Sequence, residues 1–221
     1  MSEPIKFHDD ELQVQTLKPP FFEPTGIVIP RTEAWQKGLW YGAVNLWVLQ
    51  SKPVPVILYQ QRALDIGWAP GKLDVLIAGH CEYLHTPLET IELEAKEEMN
   101  VTYNTQDFIN VGKKLGVNIG QDGTVRNSVN HIFMIEDNLP INRFLLQKKE
   151  VYAVCACPID ELLKVHQNPA YSYSQPALKH DGTSFEIIVN QNIFPPNWDP
   201  YHYKMALLAK RYFDGDRNLI Y

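Results

Sequence analysis

Gly79-His80-Cys81-Glu82-Tyr83-Leu84-His85-Thr86-Pro87-Leu88-Glu89-Thr90-Ile91-Glu92-Leu93-Glu94-Ala95-Lys96-Glu97-Glu98-Met99-Asn100-Val101 is the stretch on which the reading of this chain turns. Its second half is punctuated as a helix. Thr86 is placed as N-cap, Pro87 at the first helical position, Glu89 three residues past the cap, and Asn100 as a left-handed C-cap. Leu88, Ile91, Ala95 and Met99 recur at helical spacing and are the expected buried stripe. Beside that stripe, Glu94, Glu97 and Glu98 crowd into an arc of roughly 100°. Like charges four residues apart repel, and acids in the last turn oppose the helix dipole. A solvated acidic face would relieve this through Lys96 and water. A hard divalent cation held by carboxylate oxygens would also relieve it, and such cations support phosphate chemistry.

Upstream, Gly38 to Leu49 reads as a strand leaving a turn, Ser51-Lys52-Pro53 breaks it, and Val54 to Gln61 is a second, β-branched and aromatic strand. Ala69-Pro70-Gly71 is the next turn, and Lys72 to Ala78 runs into Gly79. Downstream, Asp107 to Gly120 and Thr124 to Ile135 are strand-rich runs joined by Gln121-Asp122-Gly123, a hairpin signal. A short helix is expected over Pro158 to Val165. After an Asp181-Gly182 turn and Pro-rich chain to Trp198, a last helix is expected at about 200–213, capped by Asp199 with Pro200 first and docking through Met205, Leu208, Ala209 and Tyr212. Residues 1–25, ending in Lys18-Pro19-Pro20-Phe21-Phe22-Glu23-Pro24, read as an extended arm, with a single domain over 26–221.

The chain has 221 residues, 45% hydrophobic and 21% charged, with 16 prolines and a net charge of −6. That is the composition of a folded, loop-rich globule. No basic stripe is available to replace counterions on nucleic acid, so no nucleic-acid partner is expected. No apolar run long enough to span a bilayer and no basic-then-apolar leader are visible, which points away from membranes and towards the cytoplasm. Cys81, Cys155 and Cys157 suit neither a disulfide framework nor a zinc ribbon and read as reduced thiols.

Gly79 to Val101 resembles the Nudix signature G-x5-E-x7-R-E-U-x-E-E-x-G-U without insertion or deletion. Gly79 takes the first Gly, Glu94 the Glu of the Arg-Glu pair, Ala95 the apolar position, Glu97 and Glu98 the Glu-Glu pair, and Val101 the final apolar position. His85 replaces the first Glu, Leu93 the Arg and Asn100 the last Gly. The run Trp68-Ala69-Pro70-Gly71-Lys72-Leu73-Asp74-Val75, followed by Ala78-Gly79-His80, is similar to the branch related to type I isopentenyl-diphosphate isomerase. The resemblance covers roughly residues 26 to 165.

The resemblance implies an α/β (α+β) fold, a Nudix-like α/β/α sandwich with a mixed central sheet. It implies a Mg²⁺-dependent hydrolase of a diphosphate linkage in a nucleoside diphosphate derivative or related small molecule, with Mn²⁺ as a substitute. On this reading Glu94, Glu97, Glu98, Gly79 and His80 hold metal, and Glu97, Glu98 and Glu150 are catalytic. Arg62 is the candidate phosphate contact, since a guanidinium pairs with two phosphate oxygens at once. Trp40 and Trp68 are candidates to line the substrate pocket. Two alternatives stay open. With His85 and Leu93 in the box, the domain could bind a nucleotide, metabolite or partner without turnover. Isomerase chemistry is disfavoured, because Ala78 stands where the isomerases carry a catalytic Cys and Lys148 where they carry a Glu. The Pro-rich arm and the aromatic C-terminal section are candidate homodimer surfaces.

Overall fold

The computed structural model describes residues 12–120, 123–196 and 199–221. In chain order the elements are β1 (Gln13–Lys18), β2 (Glu23–Pro30), α1 (Arg31–Gln36), β3 (Trp40–Gln50), β4 (Val56–Arg62), β5 (Leu73–Val75), β6 (Ile77–His80) and α2 (Pro87–Met99). They continue as β7 (Ile109–Ile119), β8 (Val125–Glu136), β9 (Val151–Pro158), α3 (Ile159–Gln167), β10 (Tyr173–Lys179), β11 (Ser184–Val189) and α4 (Tyr201–Phe213).

β3 is the axis of the sheet. It runs parallel to β8 from Trp40↔Asn127 to Leu49↔Glu136, and β7 pairs antiparallel with β8 outside it. On its other side β3 meets β1 at Tyr41, β6 from Ala43 to Leu46, and β4 only at Leu49 and Gln50. Strands β3 and β4 therefore part after a short shared register, and the β5–β6 segment fills the opening. From β4 the sheet continues antiparallel through β9 and β10 to β11.

Strand alternation assigns the two faces. Val44, Leu46 and Val48 of β3 pack with Ile91, Ala95 and Met99 of α2, while Trp47 and Leu49 pack with α3 and α4. Trp47 is fully buried, and its Nε1 donates to the hydroxyl of Tyr201 at 2.8 Å, so the indole N–H is satisfied where α4 docks. The result is a mixed sheet between helices, as the resemblance implies.

Three expectations are corrected. Residues 13–30 form the β1–β2 hairpin at the sheet edge rather than lying as an extended arm to residue 25, because their backbone finds partners in each other and in Trp40 and Tyr41. The rest of that segment, 1–11, lies outside the described residues, as do Gln121 and Asp122 of the hairpin turn and Trp198. Helix α4 takes Pro200 as its N-cap with no side-chain bond. Asp199 is instead held by Lys204 Nζ at 2.8 Å and by the hydroxyl of Tyr221. On α2, Leu88 is 38% exposed, and the buried face is made of Thr90, Ile91, Ala95, Glu98 and Met99. That face includes one of the acids.

Among the described residues no helix is long and apolar enough to cross a membrane. Cys81, Cys155 and Cys157 are free.

Candidate functional site

Helix α2 is fixed at both ends by its own sequence. Thr86 and Glu89 form a reciprocal capping box, and Asn100 closes the helix at φ 53°, ψ 40°. The last carbonyls of a helix lack partners within it. Here the carbonyl of Glu98 accepts from the N–H of Gln147 at 2.9 Å and that of Met99 from Leu145 at 3.1 Å. The same loop then delivers Glu150, whose carbonyl accepts from Ala63 N–H at 2.7 Å. Glu150 is thus held between the C-terminal end of α2 and the open end of β4, next to Arg62.

Three acids converge there. Glu98 is 3% exposed, and the N–H of Ala78 donates to its Oε2 at 3.3 Å. Burial, then the neighbouring Glu94 and Glu150, push the Glu98 carboxyl well above the usual carboxylate range, against the pull of Ala78 N–H and Arg62. Glu94 lies across Gly79. A Cβ at that position would overlap Glu94 Cγ, Cδ and Oε1, so only glycine lets the carboxylate reach the strand backbone. Among the described residues no three His, Cys, Asp or Glu side chains are drawn together into a finished metal-ligand set.

Glu97, expected beside these acids, is exposed. Only partial desolvation raises its pKa, with no contribution from the other carboxylates. The reason is helical geometry: Glu94 and Glu98 sit one above the other, while Glu97 is turned by about 100° from Glu98 towards solvent. Leu93, in place of the signature Arg, is 44% exposed. The cation that faces Glu98 comes from β4, as Arg62. His85 Nδ1 lies 3.5 Å from Glu82 Oε2, within the loop before α2.

His80 does not join the acids. Successive strand residues face opposite ways, so with Gly79 turned to Glu94, His80 points to the other face. There its Nδ1 takes a 2.6 Å hydrogen bond from Arg31 Nη1, and its ring packs against Trp35 and Tyr41. Burial first, then Arg31, Arg126 and Arg62, lower its pKa to about 3, so the ring is neutral. One of its two ring nitrogens is thus taken by a guanidinium, and the ring is turned away from Glu94 and Glu98, beside which its metal role was expected. Cys81, three residues after Ala78, faces Gly42, and burial pushes its thiol up to about 11.

Arg62 and Trp68 are brought together as substrate-side candidates. Arg62 Nε donates to the carbonyl of Trp68 at 3.0 Å, its Cζ lies 5.1 Å from the Trp68 ring centroid, and Nη1 is 3.7 Å from Asp74 Oδ2. Burial outweighs Arg62 at Asp74 and raises that carboxyl's pKa. Trp40 instead meets Phe22 edge-on at 5.0 Å, a contact with the N-terminal hairpin. Sequence reading missed Arg31 and Arg126. The available signal for Arg31 was Pro30 with Glu33 three residues on, a helix start. Nothing local marked Arg126.

No family model matches the chain. Nudix hydrolase 3 of Arabidopsis thaliana is 30% identical over 154 residues, which are 67% of this chain and 20% of that protein. An uncharacterized Nudix hydrolase of Clostridium acetobutylicum is 27% identical over 185 residues, 81% of this chain and 88% of that protein. The chain belongs to the Nudix superfamily. The fold agrees: the crystal structure of DR0079 from Deinococcus radiodurans superposes with a TM-score of 0.53 at 17% identity, over 68% of this chain and 86% of that one. The chain spans only a fifth of the Arabidopsis relative's length but most of the clostridial one. Against the signature, His85, Leu93 and Asn100 stand in place of the first Glu, the Arg and the last Gly, and the cation acting on Glu98 is Arg62.

Proposed function

We propose that the protein is a divalent-cation-dependent hydrolase of a diphosphate linkage in a small phosphorylated metabolite. The observation that carries this reading is Glu98, a carboxyl 3% exposed whose pKa is raised first by burial and then by Glu94 and Glu150. Buried like charges of this kind are unfavourable in isolation and become favourable around a hard cation. The donor chemistry fits Mg²⁺, or Mn²⁺ in its place: carboxylate oxygens of Glu94 and Glu98 and the backbone exposed at Gly79, with side-chain rotation completing the set. A cation bound there would neutralise charge on the phosphate oxygens.

The chain's own residues supply the rest. Arg62, braced by Trp68 and Asp74, orients a phosphate through its guanidinium fork. Glu150, fixed by Ala63 N–H, takes the proton of a water positioned in line with the bridging oxygen. The water oxygen forms the new bond to phosphorus, the anhydride P–O bond breaks, and two phosphate-bearing products leave. Glu97 serves from the solvent edge. Isomerase chemistry is not supported, since residue 78 is alanine and the Cys81 thiol is high and turned towards Gly42. The three free cysteines support a cytoplasmic setting.

One observation favours a second reading, binding without turnover. Leu93 leaves the helical acids without a brace from their own helix, and no finished ligand set exists among the described residues. A panel of nucleoside and isoprenoid diphosphates, assayed for phosphate release with Mg²⁺, Mn²⁺ and EDTA, separates the two. Release on at least one substrate, lost in EDTA and in Glu98→Gln, is the expected result. Cation-dependent binding with no release on any substrate would leave the binding reading in its place.

A further inference from the structure

Among the described residues the sheet has three outer edges, β2, β7 and β11. An open edge presents a row of unpaired N–H and C=O groups that another strand can take up, and most edges carry a device that prevents this. β2 has Pro24 and Pro30, which lack the N–H a neighbouring strand would need. β11 is six residues long and carries Glu186 near its middle, so pairing with itself would oppose two carboxylates.

β7 carries such devices only at its start. There Tyr221 N–H donates to the carbonyl of Val111 at 2.7 Å, and Tyr221 also lies against Gly112. Lys114 is turned inward, 8% exposed, with Nζ 4.7 Å from the Tyr201 ring centroid. From Leu115 to Ile119 the strand has no charge and no proline. Leu115, Val117 and Ile119 alternate onto one face and are 37%, 42% and 73% exposed. Among the described residues, no hydrogen bond reaches 115–119 from beyond β8.

We propose that Leu115–Ile119 pairs antiparallel with the same segment of a second copy, about a two-fold axis at Val117, joining the two sheets into one. In that register Leu115 of one copy lies opposite Ile119 of the other and Gly116 opposite Asn118, so the two apolar stripes meet on a shared face. The exposed cation Lys113 falls outside the paired segment. The two copies' Lys113 residues then lie about 26 Å apart, at about 3.3 Å per residue, well past a Debye length of about 8 Å. Each meets a chain of net charge −6 without facing its own kind. Five residues a side make an interface of the small, transient class, so the dimer should be weak, with a Kd of roughly 10–100 µM. Strands β8 and β3 separate β7 from β6 and the acids, and the contact is independent of the diphosphate reading.

Sedimentation equilibrium of the full chain over about 5–500 µM tests it. The intact chain is expected to pass reversibly from 25.4 kDa to twice that mass. Val117→Lys sets two like charges opposite each other at the axis and should weaken the dimer at least about tenfold. Ile119→Lys should also weaken it, and Ile27→Lys on the β2 edge should leave it unchanged. A monomer throughout the range, or an unchanged dimer in Val117→Lys, overturns the proposal. A dimer lost in Ile27→Lys instead places the contact on the N-terminal hairpin and overturns it as well. Circular dichroism checks the fold of each variant, and if Val117→Lys is unfolded, Ile119→Lys decides.

Discussion

Replacing Glu98 with Gln is expected to make the cation-free protein more stable at alkaline pH. The carboxyl is 3% exposed, and its pKa is raised first by burial, then by Glu94 and Glu150. For an acid whose folded pKa lies above its unfolded value, the unfolded chain releases its proton first as pH rises. The fold is then weakened from the unfolded pKa of about 4.3 upwards, until pH passes the folded pKa and the loss levels off. Below the unfolded value there is no loss. Gln keeps the size of the side chain and an oxygen acceptor for Ala78 N–H, now 3.3 Å from Oε2, while removing the charge. A buried polar group without full compensation costs about 1–3 kcal/mol, and more when charged. For a chain of this length 1 kcal/mol moves the melting temperature by about 2–4 °C, so the gain near pH 8 should be roughly 2–12 °C. It should vanish near pH 4, where both proteins are neutral at this position. Thermal unfolding followed by circular dichroism in EDTA, from about pH 4 to pH 9, reads this directly. A lower melting temperature for Glu98→Gln near pH 8, or the same offset at both ends of the range, would refute the reasoning.

Three further outcomes follow from neighbouring residues. Gly79→Ala forces Glu94 off the strand backbone, since the new Cβ overlaps three of its side-chain atoms; the flexible side chain can turn away at a cost of about 0.5–1.5 kcal/mol. Thermal melts should show a small loss of stability together with disappearance of the Mg²⁺-dependent increase, whereas a retained Mg²⁺ response would separate Glu94 from cation binding. Asn100→Val places a β-branched residue at φ 53° and should cost about 1–2 kcal/mol in urea unfolding; a neutral result would mean the helix end relaxes without that residue. His80, lowered to about 3, should show no imidazole titration by NMR between pH 7 and pH 5. Because the unfolded chain takes up that proton below about 6.5, His80 should cost stability as pH falls from about 6.5 towards about 3. Arg31→Gln should move the midpoint upwards, and an unmoved midpoint would remove Arg31 as a cause.

What could be read from the chain was local. Thr86, Pro87, Glu89 and Asn100 fix the ends of α2 through contacts within a few residues, and the structure reproduces each of them. The alternating runs of β3, β4, β7 and β8 were legible for the same reason. Which acid turns inward was not legible, because the positions of Glu97 and Glu98 differ only by where the sheet lies relative to the helix. The β1–β2 hairpin was hidden behind prolines that read as extended chain, while its pairing depends on β3. The Arg31–His80 bond joins residues 49 apart, and no spacing rule could have announced it. His80 was carried over from a resemblance that fixed its position on the strand, and the change of partner came from a helix that the strand's own sequence does not mention.

The central proposal is a divalent-cation site formed by Glu94, Glu98 and the backbone at Gly79, with Glu150 beside it as the base. Electron paramagnetic resonance of Mn²⁺ added to the intact protein and to Glu98→Gln measures that most directly, because free and protein-bound Mn²⁺ give distinct signals. Bound Mn²⁺ in the intact protein, competed away by Mg²⁺ and largely lost in Glu98→Gln, is the predicted result. Equal binding by the two proteins, or none by either, would contradict it.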